Sequence, residues 1–178
     1  MKHYQILYNY AHGDDLMFAV FDEAELSFGR YDVYKNMELP VEQIYCSIAE
    51  DQTEECDYIA NNLAWFVISE KAKNIFEQFN LCKCQYIKVI DKATNALIGY
   101  LVNCLESYDA LDIEHSVGYY DSYGFTAIKY AIKEEKLHGV DFFQIEEPIS
   151  PLFISERIRK QLKQSKVKGF DYSLITTT

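Results

Sequence analysis

One stretch of this chain occurs twice. Residues 65–79 read WFVISEKAKNIFEQF and residues 151–165 read PLFISERIRKQLKQS, at an offset of 86. Extended to Tyr86 and Tyr172, the alignment holds five identities in 22 positions, clustered where Ile68, Ser69 and Glu70 meet Ile154, Ser155 and Glu156. Lys71 and Lys73 fall on Arg157 and Arg159. Both copies have one physical reading. A short apolar run forms a buried strand. The serine after it accepts a hydrogen bond from the free N–H groups that open a helix. The glutamate that follows sits where the helix dipole favours negative charge. A second strand, Gln85–Ile90 or Phe170–Ile175, then returns. Ser69, Glu70, Ser155 and Glu156 are therefore expected to be helix caps.

A serine at a strand-to-helix turn also suits a nucleophile elbow, but that turn needs glycines on either side. Ser69 is flanked by Val67, Ile68, Glu70 and Lys71. Capping is the reading its neighbours support.

A repeat of strand, capped helix and strand, with few other helical patterns, predicts an α+β fold. We expect a single domain over residues 1–178, its sheet mainly antiparallel or mixed, carrying the two capped helices. The length suits one core, and the high aromatic content, 15 Tyr and 11 Phe, disfavours disorder. Elsewhere the chain reads as strands at residues 4–9, 16–21, 97–105 and 140–145, with turns at 12–15 and 91–95. Residues 41–50 suit a strand or one or two helical turns. Residues 109–116 read as a short irregular or helical piece, and residues 125–133 fit a strand or a helix.

The net charge is −11, and residues 1–89 hold 7 basic and 15 acidic side chains. Such a chain is repelled by nucleic acid and by anionic lipid and attracted to a basic protein, although the charge equally suits mere solubility. Neither nucleic acid nor membrane is an expected partner. The first residues, MKHYQILYNYAHGDD, form neither a leader nor a membrane span, so the expected compartment is the cytoplasm. The densest acidic run, EDQTEECD, is read as a solvated loop or a helix start. It supplies Glu50, Asp51, Glu54, Glu55 and Asp57 as candidates for the rim of a protein interface, with nearby exposed aromatics at its centre.

The five cysteines are odd in number and irregularly spaced. Cys82 and Cys84 alone lack the second ligand pair of a structural zinc site, so the thiols are expected to be reduced and inert, with no metal and no cofactor. Asp109, Asp112 and Glu114 near His115 are the one acid/base constellation, and they carry the alternative reading of a small hydrolase. The six basic residues from Arg157 to Lys168 are read as a solvated helix face.

Taken in order, several elements resemble a known family. Asp57-Tyr58 precedes a strand that enters a Ser-Glu helix (residues 66–73). The element Asp109-Ala110-Leu111-Asp112-Ile113-Glu114-His115-Ser116 follows, then an aromatic strand at 141–144 and a Phe-Ile-Ser-Glu helix ending near Gly169-Phe170. Over residues 57–175 this order is similar to the bacterial polymorphic-toxin immunity proteins numbered as immunity family eleven. Residues 1–56 match less clearly. The resemblance implies a non-enzymatic antidote that binds and blocks a cognate protein toxin encoded nearby.

Overall fold

The computed structural model describes residues 1–12, 16–52, 54–122 and 124–178. Fourteen strands and two α-helices are placed along them. The first group is β1 (His3–Tyr8), β2 (Phe18–Val20), β3 (Gln43–Ile48), β4 (Tyr58–Asn61) and β5 (Val67–Ile68), followed by α1 (Glu70–Phe76). Then come β6 (Cys84–Asp91), β7 (Leu97–Cys104), β8 (Val117–Asp121), β9 (Gly124–Lys129), β10 (Ala131–Ile132) and β11 (Phe142–Gln144). The chain closes with β12 (Leu152–Ser155), α2 (Glu156–Gln164), β13 (Phe170–Leu174) and β14 (Thr176–Thr177).

Six strands close into a barrel in the order β2-β3-β6-β7-β5-β4, and four form a sheet in the order β11-β12-β1-β13. The sheet is antiparallel throughout, while the barrel has parallel pairs at β2·β4 and β3·β6. The expected α+β class with mixed sheets and two Ser-capped helices is what the chain adopts. Residues 43–48 take the strand alternative, alternating outward and inward so that Ile44 and Cys46 are buried. The stretch 125–133 is also extended, split between β9 and β10. Residues 109–116 are irregular, and of the expected turn at 12–15, residues 13–15 lie outside the described residues.

The sequence repeat is the visible part of a larger one. Register partners in the first copy map pair by pair onto the second. Ile68 faces Tyr100 in β5·β7, and Ile154 faces Tyr4 in β12·β1. Lys88 faces Tyr100 in β6·β7, and Leu174 faces Tyr4 in β13·β1. Tyr58 faces Ile68, and Phe142 faces Ile154. The barrel run β4-β5-β7-β6 thus has the order and pairing of β11-β12-β1-β13. Strand β1, first in the chain, holds the place in the second copy that β7 holds in the first. The cations follow the same symmetry. Lys73 Nζ lies 4.9 Å and 5.2 Å from the ring centres of Tyr86 and Tyr100, and the Arg159 guanidinium lies 5.7 Å and 4.3 Å from those of Tyr172 and Tyr4. Part of the basic face of α2 is therefore stacked on rings, where a wholly solvated face was expected.

Strand alternation divides the core in two. Val67 and Leu101 point into the barrel with Ile87, Val89 and Trp65. Their neighbours Ile68 and Val102 point the other way, into a second core with Ile75, Phe76, Ile158, Leu162, Phe142 and Phe153. There α1 packs on α2 between barrel and sheet. Burying a side chain such as Phe76 contributes roughly 1.5–3 kcal/mol, so this seam holds the two copies together.

Candidate functional site

The described residues of the acidic run form no helix and lie beside β2 of the barrel. Met17 N–H donates to Glu54 O at 2.8 Å, Phe18 N–H to Gln52 O at 3.2 Å and Ala49 N–H to Phe18 O at 3.1 Å, which pins the run beside β2. Glu50, Asp51 and Glu55 are exposed on it. Glu54 is exposed as well, and its carboxylate pairs with Lys168 Nζ at 2.5 Å.

Asp57 departs from the expected rim. It is buried to 9% exposure, and the fold consumes its carboxylate. Ser69 Oγ donates to Oδ1 at 2.6 Å, Lys168 N–H donates to Oδ2 at 2.9 Å, and Lys71 Nζ approaches Oδ2 at 3.7 Å. A buried carboxylate holds its place only when paired in this way, so Asp57 is a structural residue.

Beside the acidic edge opens a cleft of about 270 Å³, lined among others by Tyr8, Tyr10, Phe18, Gln52, Tyr58 and Trp65. Tyr8 stands edge-on to Tyr10 at 4.8 Å and to Tyr58 at 5.4 Å. Asn9 N–H donates to Gly169 O and Ala11 N–H to Asn9 Oδ1, which fixes the turn that presents Tyr10. Tyr10 is 84% exposed, a phenol ring left at the lip. Burial pushes the hydroxyls of Tyr8 and Tyr58 above the usual phenol range, so both stay neutral. Amphipathic rings of this kind recur at the centres of protein interfaces.

The helix-cap residues sit as their pattern requires. Ser69 Oγ accepts from Ala72 N–H at 3.1 Å and Ser155 Oγ from Ile158 N–H at 3.4 Å. Each hydroxyl donates to an aspartate, Asp57 or Asp141, which ties the cap into the fold. Glu70 opens α1 on the surface. Glu156 opens α2, its carboxyl held below the usual range by the Tyr4 hydroxyl and then by Arg159 and Lys160.

In the alternative constellation, Asp112 and His115 do meet. Asp112 Oδ2 lies 2.8 Å from His115 Nδ1 and accepts from the Thr178 hydroxyl at 2.8 Å. The adjacent hydroxyl, Ser116 Oγ, donates to Asp112 O and accepts from Ala131 N–H, which ties it into the backbone. Asp112 is buried and His115 is 60% exposed on the surface. The arrangement staples the 109–116 turn to β10 and to Thr178, just after β14.

Two features gave no signal in one dimension. The hairpin β8–β9 exposes Val117, Tyr119, Tyr120 and Ile128. Cys104 arrives beside Cys82 and Cys84, so the pair is a trio. Only the fold brings these residues together. No helix of the described residues is long and apolar enough to cross a membrane.

No curated protein matches the chain significantly. The model of the immunity protein family (Imm11) matches residues 12–177, so the stretch 12–56, expected to match less clearly, falls within the matched span. With a match over nearly its whole length, the chain belongs to the Imm11 family of immunity proteins.

Proposed function

We propose that the protein neutralises a cognate toxin by binding it in the cytoplasm without covalent chemistry, and that the toxin is encoded beside it. The contact face in this reading is the acidic edge of Glu50, Asp51, Glu54 and Glu55 together with the tyrosine cleft. The observation that carries it is that the exposed acidic run reaches, through Gln52, an open aromatic cleft whose outer ring, Tyr10, is almost fully exposed. A toxin that acts on nucleic acid or nucleotides presents a basic surface. The acidic edge would draw it in by long-range attraction, and the rings would hold it once docked.

The test is to co-express the protein with the adjacent toxin and to measure association at low and high salt. Replacing Glu50, Asp51 and Glu55 together by Lys should slow association at least several-fold at low salt and flatten its salt dependence. Equal rates at both salts would remove this face, and a simultaneous loss with Tyr120→Lys and Ile128→Lys would move it to the β8–β9 hairpin. Failure of the unaltered protein to bind the toxin or to rescue growth would overturn the antidote reading itself.

A further inference from the structure

Three cysteines meet where the barrel joins the second sheet. Cys84 and Cys104 are register partners in β6 and β7, and Cys82 lies two residues earlier, its N–H donating to Phe142 O at 2.9 Å. Cys84 Sγ is 3.6 Å from Cys82 Sγ and 3.9 Å from Cys104 Sγ, and all three sulfurs lie within 4.8 Å of one another. A tetrahedral zinc ion with Zn–S bonds of about 2.3 Å sets its sulfur ligands about 3.8 Å apart. Two of the three sulfur pairs already stand near that spacing, and the third lies within 4.8 Å.

The internal repeat supplies a control. In the second copy the positions of Cys82, Cys84 and Cys104 are occupied by Lys168, Phe170 and Tyr8, and Tyr8 faces Phe170 in β1·β13 as Cys104 faces Cys84 in β6·β7. An aromatic pair and a half-exposed lysine satisfy the same scaffold there. The fold therefore does not require cysteine at any of the three places, and the convergence of thiols in one copy calls for a chemical reason.

We propose that Cys82, Cys84 and Cys104 form a zinc site in which three thiolates bind the ion and a fourth position is left to water or to the Glu106 carboxylate. Glu106 is anchored nearby, accepting from Lys83 N–H at 2.9 Å and from the Tyr108 hydroxyl at 3.0 Å. Binding is a proton-for-metal exchange in which the three thiol protons pass to solvent and no sulfur changes oxidation state. Cys82 and Cys104 are buried and Cys84 only half-buried, which leaves an approach from the Cys84 side. The site would fasten the start of β6 to the end of β7, next to the bond that joins Cys82 to β11.

Zinc per chain, measured by elemental mass spectrometry on reduced protein purified without chelator, is expected to be about one. Cys84→Ser should lower it at least tenfold, whereas Cys46→Ser, a thiol inside the barrel, should leave it unchanged. Because loss of metal could also follow from misfolding, Cys84→Ser is compared with the wild type by circular dichroism and by cobalt(II) titration. The expected result is thiolate-to-cobalt charge-transfer absorption in the wild type and its loss in a Cys84→Ser chain that keeps the native spectrum. The site is refuted if the reduced wild type takes up neither zinc nor cobalt, or if folded Cys84→Ser keeps its zinc. A Cys84–Cys104 disulfide that leaves no metal binding after its reduction would overturn it equally.

Discussion

Asp57 and Asp141 do the same thing in the two copies, and each does it across the seam. Each accepts the hydroxyl proton of the serine capping its own helix, Ser69 at 2.6 Å and Ser155 at 2.5 Å. Each then reaches the chain leaving the other helix. Asp57 N–H donates to Lys168 O while Lys168 N–H donates to Oδ2, and Asp141 N–H donates to Asn80 O while Asn80 N–H donates to Oδ2. Lys71 and Arg157, equivalent in the repeat, complete the pairs at 3.7 Å and 3.3 Å.

The two caps should differ in cost. Ser155 and Asp141 have no exposed surface, so Ser155→Ala loses the cap and also leaves a buried carboxylate oxygen short of a donor, about 2–4 kcal/mol in all. Ser69 is only half-buried and Asp57 keeps some solvent, so Ser69→Ala should cost about 1–2 kcal/mol. Denaturant midpoints compare them. Equal losses would show that burial does not grade the two networks.

Acid should unfold the protein in two stages. His3 is buried against Phe143, and desolvation lowers its folded pKa below the usual 6.5. The unfolded chain therefore binds the proton first, and stability falls as pH drops below 6.5. The second stage comes from carboxylates whose folded pKa is depressed, Asp112 by the Thr178 hydroxyl and then His115, Asp91 by Thr94, and Glu156 by Tyr4. Their contribution is present above the unfolded values near 3.8 for Asp and 4.5 for Glu and is lost as pH falls through the folded ones. His3→Phe should flatten the first stage and spare the second, read from unfolding midpoints between pH 3 and 7.

Tyr10 separates holding from steering. Tyr10→Ala removes an exposed ring and should leave the folding midpoint within about 0.5 kcal/mol of wild type. Dissociation of the toxin should quicken by about tenfold or more, with association little changed. An unchanged dissociation rate would exclude the cleft as the apolar centre.

The Asp112–His115 pair provides a test between antidote and enzyme. With a structural role, His115→Ala protects cells as well as wild type does, and Asp112→Ala lowers the unfolding midpoint by releasing Thr178. Loss of protection in a stable, toxin-binding His115→Ala chain would instead make the imidazole a reacting group.

The Ile-Ser-Glu core of the repeat was readable because a cap is a local device, set by a serine and the residues just after it. Its aspartate was not. Asp57 and Asp141 lie 84 apart where the serines lie 86 apart, so an alignment at one offset passes over them. Asp57 also stands at the end of an acidic run, and composition assigned it to the surface with Glu50, Asp51 and Glu55. Its burial and its bonds to Ser69 and Lys168 show it turned inward. Cys104 escaped for a related reason, since a cross-strand partner twenty residues away leaves no spacing to recognise. The closure of the barrel and the place of β1 in the second sheet depend on contacts between distant segments, which no local periodicity encodes.

The position of β1 has a consequence for synthesis. Its strand partners are β12 and β13, both near the other end of the chain. The first copy has all of its strands once residue 104 has left the ribosome. The second must then recruit a segment made some 150 residues earlier, which at about 5–20 residues per second has waited roughly eight to thirty seconds. Through that interval β1 is an apolar strand with both edges bare, the state most open to pairing with the wrong chain. The finished first copy, with α1 already in place, offers a surface on which α2 can settle and draw β1 home.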